Sequence, residues 1–251
     1  LYVVATPIGN LGDITYRAVT LLRQMDLLLV EDTRITQRLL HQYSISGRVV
    51  TLHEHNESSI LDQVLSNVVS ERQAVALVSD AGTPLIADPG FRLVRAAHEK
   101  NISVFTVPGP CAAIAALSIA GLPSDRFVFE GFLPPRKSAR LRRLTQLNTE
   151  RRTMIFYEAP HRILATIGDM GAVFGSGRDI AVGREMTKRH ETLYRGSLGS
   201  VTEAMRSDEN AARGEIVIIL SGTNDVDTNE DERKAMEMVD ILSRQMPKAD
   251  A

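Results

Sequence analysis

The sequence predicts an α/β protein made of two successive α/β units. Three observations carry that reading. Short apolar runs alternate with amphipathic stretches through the first half of the chain, which implies βα units and a mainly parallel sheet covered by helices. Gly121-Leu122-Pro123-Ser124 breaks the alternation, and a second α/β set follows it. The chain has 251 residues, 43% of them hydrophobic, enough for one large or two modest cores.

Taken in order, residues 1–5 read as a buried strand; Leu1 already lies inside that run, so further residues are expected before it. Residues 15–25 read as a helix, because Ala18, Leu21, Leu22 and Met25 fall on one face. Residues 27–30 form the next strand and run into Glu31-Asp32-Thr33-Arg34; residues 49–52 form a short one. A helix over 58–69 carries Ile60, Leu61, Val64, Leu65 and Val68 as its apolar stripe. A strand at 74–78, a helix from Phe91 and a strand at 103–107 follow. Pro108-Gly109-Pro110 opens a small-residue helix over 112–120. The boundary is expected beside Leu122, giving units 1–122 and 123–222.

In the second unit, strands are expected at 127–132, 154–157, 180–182 and 215–220, with helices at about 139–147 and 163–173. Residues 223–229 are polar and acidic, as in a linker. Beyond them Ala235, Met238, Val239, Leu242 and Met246 recur at helical spacing, with too little chain to bury that face. Residues 223–251 therefore read as a linker and the start of a helical unit.

Composition narrows the function. Cys111 is the lone cysteine, which fits a reducing, cytoplasmic setting and rules out an intrachain disulfide. No apolar run approaches a membrane span, and no secretory signal opens the chain. The absence of Trp and an aromatic content of 5% argue against a base-stacking platform.

Net charge is only −2, but it is unevenly spread. Arg136, Lys137, Arg140, Arg142, Arg143, Arg151 and Arg152 share one short stretch whose sole acid is Glu150. Arg184, Lys188, Arg189 and Arg195 form a second group. Phosphate binding needs such local positive surface rather than a basic pI. A solvated helix face explains the first group almost as well, since Leu141, Leu144 and Leu147 line its other side.

Three loops are candidates for chemistry. Ser79 to Gly90 follows an apolar strand and carries Asp80 and Asp88 among glycines and prolines. Such a loop at the carboxyl end of a strand is where open α/β sheets bind small ligands. It matches neither G-x-G-x-x-G nor a phosphate loop. Ala5 to Asp13 and Pro108-Gly109-Pro110 also end expected parallel strands, so all three should share one rim. Any one alone reads as an ordinary turn. Glu31, Asp32, His55, Glu158, Glu185 and Lys188 are candidate proton acceptors; for the acidic ones, a helix cap or an ion pair is the alternative. His53-Glu54-His55 lacks a third ligand, so no metal is expected. No base lies near Cys111 in sequence, so no catalytic thiol is expected either.

Six blocks occur in order: Thr6 to Asp13, Glu31 to Arg34, Ser79 to Gly90, Val107 to Pro110, Phe156 to Arg162, and Arg184 to Lys188. Together they resemble the tetrapyrrole-methylase-like (class III) S-adenosylmethionine methyltransferases. Ile8-Gly9-Asn10 in place of a Gly-Pro-Gly-Asp first loop is similar to the branch that acts on ribosomal RNA. The resemblance covers Leu1 to about Gly222. It implies two α/β domains with S-adenosylmethionine in the cleft between them, a homodimer, and a small helical unit at the C-terminus. It also implies metal-independent 2′-O-methylation of the decoding-site cytidine of 16S ribosomal RNA in the small subunit.

Matched position by position, Pro7, Ile8 and Gly9 fall in the first cofactor loop, and Asp80, Gly82, Thr83 and Ile86 in the second. Ala112 and Ala113 follow the Pro-Gly turn, Tyr157 lines the cleft, and Gly214 and Glu215 close it. Methyl transfer from a sulfonium needs mostly in-line placement of the hydroxyl. A general base adds roughly 10²–10⁴-fold; Glu31, Asp32, Glu158 and Lys188 are the foremost candidates. Arg136, Lys137, Arg140, Arg142, Arg143, Arg184, Lys188 and Arg189 are the candidate RNA contacts.

Overall fold

The structure, a computed structural model, describes residues 1–53, 56–223 and 238–239. His55 lies outside the described residues, as does most of the expected linker and C-terminal helix; Met238 and Val239 are helical.

The first sheet contains β1 (Tyr2–Val4), β2 (Leu27–Val30), β3 (Arg48–Thr51), β4 (Val75–Val78) and β5 (Phe105–Val107) in the order β3-β2-β4-β1-β5. Every pairing is parallel, as the alternation of strand and helix signals predicts. Alternate residues of each strand serve opposite faces. Leu28, Val30, Ala76 and Val78 join α1 (Tyr16–Leu22) and α2 (Thr33–Gln42) in one core. Leu27, Leu29, Val75 and Leu77 join α3 (Glu57–Ser70) and α4 (Phe91–Glu99) in another. Both faces being covered, β2 and β4 read in sequence as unbroken apolar runs.

The second sheet contains β6 (Phe127–Phe132), β7 (Thr153–Glu158), β8 (Asp179–Arg184), β9 (Thr192–Ser197) and β10 (Ile216–Leu220), ordered β6-β7-β10-β8-β9. Only β6 and β7 are parallel; β10 runs antiparallel between β7 and β8, and β9 antiparallel to β8. On one face, Met154, Phe156, Ile180, Val182, Ile216 and Ile218 pack with α6 (Lys137–Gln146), α7 (Ile163–Phe174) and α8 (Leu198–Ser207). Against the other face lies α5 (Ala112–Ala120), whose Ala113, Ala116, Leu117 and Ala120 meet Ile155, Ala181, Val217 and Ile219. Its small side chains let its backbone sit close to the strands. Although α5 follows β5 directly and was expected with the first unit, its packing partner is the second sheet. The helix therefore ties the two halves together, and it stops at Gly121, which takes the left-handed conformation at φ 64°.

Two isolated features depart from expectation. The Glu31-Asp32-Thr33-Arg34 stretch is not simply a loop: Asp32 caps α2, accepting the Arg34 amide at 2.8 Å. β9 and α8 add a hairpin partner and a covering helix in a stretch whose polar side chains hide its periodicity.

Candidate functional site

Because β4, β1 and β5 are adjacent and parallel, the loops after them emerge side by side at the carboxyl rim, where the crossovers part in opposite directions. They are laced together. Thr6 and Gly82 exchange backbone hydrogen bonds at 2.8 and 3.1 Å. The Thr6 hydroxyl donates to the Ser79 carbonyl at 3.1 Å, and the Thr83 hydroxyl to the Pro110 carbonyl at 3.0 Å. Gly82 sits at φ 85°, with the Ile8 side chain 3.3 Å from where a Cβ would be, so a larger residue would be strained and crowded.

Two cavities open at this rim, each walled by both halves of the molecule. The smaller, about 370 Å³, is bounded by Ile8, Gly82, Thr83, Ile86, Asp88 and Ala112 from one side and by Phe132, Tyr157, Glu158, Gly214, Glu215 and Val217 from the other. The larger, about 760 Å³, takes Pro7, Ile8, Gly9, Ile35, Thr36, Arg38 and Asp80 from the first half and Thr187, Lys188, Arg189 and Glu215 from the second. Ile8, Ala81 and Glu215 line both, and so form the partition between them.

Tyr157 is fixed by its neighbours. Its hydroxyl accepts the Ala113 amide at 3.2 Å, and the rings of Phe129 and Phe132 meet it edge-on at 5.0 and 5.7 Å. Burial pushes its phenol well above the ordinary range, with Cys111 adding to the shift, so it stays neutral. Burial also pushes the Asp88 carboxyl up to about 6, opposed by a hydrogen bond from Ser79 and reinforced by the charges of Glu31 and Asp80. Asp80 is raised as well, again mainly by burial.

Across the partition, the Lys188 ammonium lies 2.8 Å from Glu185 and 3.1 Å from Glu215. Burial pushes that ammonium down, but the two carboxylates prevail and hold it above the ordinary lysine range. Glu185 also accepts the Glu215 amide at 2.9 Å. Gly214 beside it, at φ 78°, leaves room for the Glu185 carboxyl that any Cβ would strike. Strain gathers here: Leu85 and Ala87 below the smaller cavity, and Glu185 and Thr187 beside the larger, all hold positive φ.

The expected cofactor residues thus divide. Ile8, Gly82, Thr83, Ile86, Ala112, Tyr157, Gly214 and Glu215 converge on the smaller cavity. Pro7, Gly9 and Asp80 face the larger one instead. Ala113 is buried and acts on the wall through Tyr157. Asp88, which sequence reasoning passed over, was signalled only by its place in the Ser79–Gly90 loop.

Several other expectations need correction. Glu158 is 3% exposed, and its oxygens are taken by Arg162, the Ala159 amide and the Thr166 hydroxyl, so it braces the helical turn Pro160–Arg162 and leaves no oxygen open to a substrate. Asp32 is held down to about 2, chiefly by its hydrogen bonds from Arg34, and is a cap rather than a base. Neither Glu31 nor Asp32 lines either of these two cavities. Lys188 is a protonated, paired cation and no base.

Among the arginines, Arg140 is 4% exposed and pairs with Asp169 at 2.7 Å, joining α6 to α7. Arg184 is 7% exposed and donates to the His190 carbonyl and Thr192 hydroxyl. Both are interior groups that phosphate cannot reach. Arg143 is paired with Glu130 at 2.6 Å and Lys137 with Asp169 at 3.9 Å. Arg136, Arg142 and Arg189 are exposed without an ion pair among the described residues. So is Arg38, which sequence reading missed because it sits in α2.

A family model described as tetrapyrrole (corrin/porphyrin) methylases matches residues 1–202. The chain is 51% identical over 227 residues to the ribosomal RNA small subunit methyltransferase I of Xylella fastidiosa strain Temecula1, covering 90% of this chain and 83% of that protein. It is 49% identical over 222 residues to the protein of the same name from Escherichia coli O157:H7, covering 88% and 77%. Among solved structures, a cobalt precorrin-4 methyltransferase of cobalamin biosynthesis matches with a TM-score of 0.65 at 18% identity, over 88% of this chain and 93% of that one. A diphthine synthase matches with a TM-score of 0.65 at 14% identity, over 88% of each chain. The likeness to these two structures is one of fold.

Proposed function

This chain belongs to the tetrapyrrole (corrin/porphyrin) methylase family, and from that premise we propose that it is the S-adenosylmethionine-dependent methyltransferase of small-subunit ribosomal RNA, acting on the 2′-oxygen of the decoding-site cytidine of 16S RNA. Its relatives' names supply the substrate class. The observation that carries the reading is the pair of cavities meeting at one partition: a small, mostly apolar one beside a large one rimmed by unpaired guanidinium groups.

The smaller cavity suits the cofactor. Its volume falls in the usual range for small-ligand sites, roughly 300–1,000 Å³. Gly82, Ala112 and Gly214 let backbone approach closely, Phe132 and Tyr157 offer aromatic surface, and Asp88 offers a carboxylate with no ion pair among the described residues. That carboxylate suits the cationic part of S-adenosylmethionine. The cofactor supplies a methyl group already activated on sulfonium, so the reading needs no metal. The chain's contribution is to hold the ribose hydroxyl in line and keep water out.

The larger cavity suits a nucleotide. Arg38 and Arg189 approach it from opposite halves, and Ile35, 51% exposed, offers apolar surface for a base. Phosphates flanking the target would fall to those arginines, with Arg136 and Arg142 further support along the strand. Exposed Ile114 and Ile119 on α5 favour a homodimer, and the lone cysteine favours a cytoplasmic setting. No helix among the described residues is long and apolar enough to cross a membrane.

The test is transfer of label from S-adenosylmethionine to small subunits lacking the decoding-site methylation, followed by mapping of the labelled ribose. Label on the 2′-oxygen of that cytidine is expected. Label on another position, or on no RNA from a cofactor-binding protein, would replace the reading with another methyl acceptor.

A further inference from the structure

We propose that Asp80 is the catalytic base that receives the proton of the target ribose hydroxyl. The inference rests on the functional reading above and deepens it, because the resemblance placed Asp80 among cofactor contacts. The structure sets it elsewhere. Asp80 lines the larger cavity, and the next residue, Ala81, belongs to the partition. Its carboxylate therefore stands on the nucleotide side, beside the point where the two cavities meet.

Its hydrogen bonding suits the task. The Asp32 amide donates to Oδ1 at 2.9 Å and fixes the side chain. Oδ2 has no hydrogen-bond partner among the described residues, so one oxygen stays available to a substrate proton. The other candidates fall away on geometry. Among the described residues only Glu215 also brings a carboxylate to the larger cavity, and it is engaged by Lys188 at 3.1 Å. Asp88 lines the smaller cavity alone.

The charged groups around Asp80 come from several elements: Asp32 and Arg34 at the start of α2, Arg38 midway along it, Asp88 in its own loop, and Lys188, Arg189 and Glu215 across the cavity. Burial together with the Asp32 charge keeps its proton affinity above that of an ordinary carboxylate, against the pull of the Asp32 amide and Arg34. The shift makes its carboxylate a stronger proton acceptor than an ordinary one.

The step balances. The 2′-oxygen forms its bond to the methyl carbon as the sulfur–carbon bond breaks, the electron pair of that bond remains on sulfur, and the hydroxyl proton passes to Oδ2 of Asp80. No oxidant or metal is required.

Asp80→Asn tests the assignment, because its amide oxygen can still accept the Asp32 N–H. Expected are cofactor affinity by calorimetry within about twofold of wild type, unchanged RNA affinity, and a kcat lower by roughly 10²–10⁴-fold. The rise of kcat with pH through the acid range should vanish in this variant, and Asp80→Glu should recover part of the rate. Cofactor affinity falling in step with kcat would return Asp80 to the cofactor site. A kcat within about tenfold of wild type, with the acid limb intact, would overturn the assignment while leaving the methyltransferase reading in place. Failure of the wild type itself to label small subunits would overturn that reading and the assignment with it.

Discussion

Asp88 is an acid that the fold keeps at odds with its surroundings. Burial raises its carboxyl to about 6, so in the free protein it takes up a proton as pH falls through that value. A bound cation would favour the charged form. Cofactor affinity should therefore weaken as pH drops below about 6, and binding near that pH should release protons, measurable by calorimetry in buffers of different ionisation enthalpy. Asp88→Asn should remove this pH dependence and lower affinity about tenfold, the order of one charge-assisted contact. The same burial lowers stability as pH rises from the ordinary aspartate value to about 6, because the folded state then holds the proton more tightly than the unfolded one. Arg140 makes the complementary case. Arg140→Ala leaves the buried Asp169 with only the exposed Lys137, 3.9 Å away, and should cost about 3 kcal/mol of stability in urea unfolding, with no selective effect on RNA. Sequence could see the charge of Arg140 but not Asp169, which lies on the next helix. It could see the loop of Asp88 but not how deeply that side chain is buried.

The first sheet was legible because β2 and β4 are covered on both faces and leave unbroken apolar runs. α2 was not, because only Thr36, Leu39 and Leu40 of it are buried. With it went Arg38, and with it also went the fact that Asp32 is a cap. β9 was hidden for a related reason: as an edge strand it keeps Arg195 exposed and buries none of its residues fully. The place of α5 was hidden by topology, since nothing local distinguishes a helix that packs on the preceding sheet from one that packs on the next. In the loop after β8, Thr187 holds φ 66° and its hydroxyl is buried without a hydrogen-bond partner. A β-branched residue is poorly suited to that backbone. Thr187→Asn, which tolerates it better, should gain about 1 kcal/mol, seen as a higher urea midpoint with an unchanged slope. A loss of stability would mean that Thr187 packs better than its dihedral angle suggests.

Over the whole molecule, charge is matched to the cavities and not to the total. Arg38 and Arg189 stand on different halves and meet only at the larger cavity. Replacing both by Ala should weaken RNA binding and reduce the salt slope by about 1.4–1.8, two phosphate contacts at about 0.7–0.9 each, while cofactor affinity stays put. An unchanged slope would place the phosphates elsewhere, with the exposed Arg136 and Arg142 of the α6 region next to be tried. Much of the small cavity was readable, because its walls are short blocks of Gly, Pro and Ala with distinctive order; the larger was not, because it exists only where two distant surfaces face each other. One strand joins these surfaces to the fold. In β10, Ile216 pairs with both Glu158 and Arg184, so the backbone beneath Tyr157, Glu185 and Glu215 hangs on one central strand with a ladder on each side. Its amides are expected to trade hydrogen for deuterium only when those ladders part. The floor of the site is therefore expected to open with the second half of the molecule and not ahead of it, which hydrogen exchange along β10 would show.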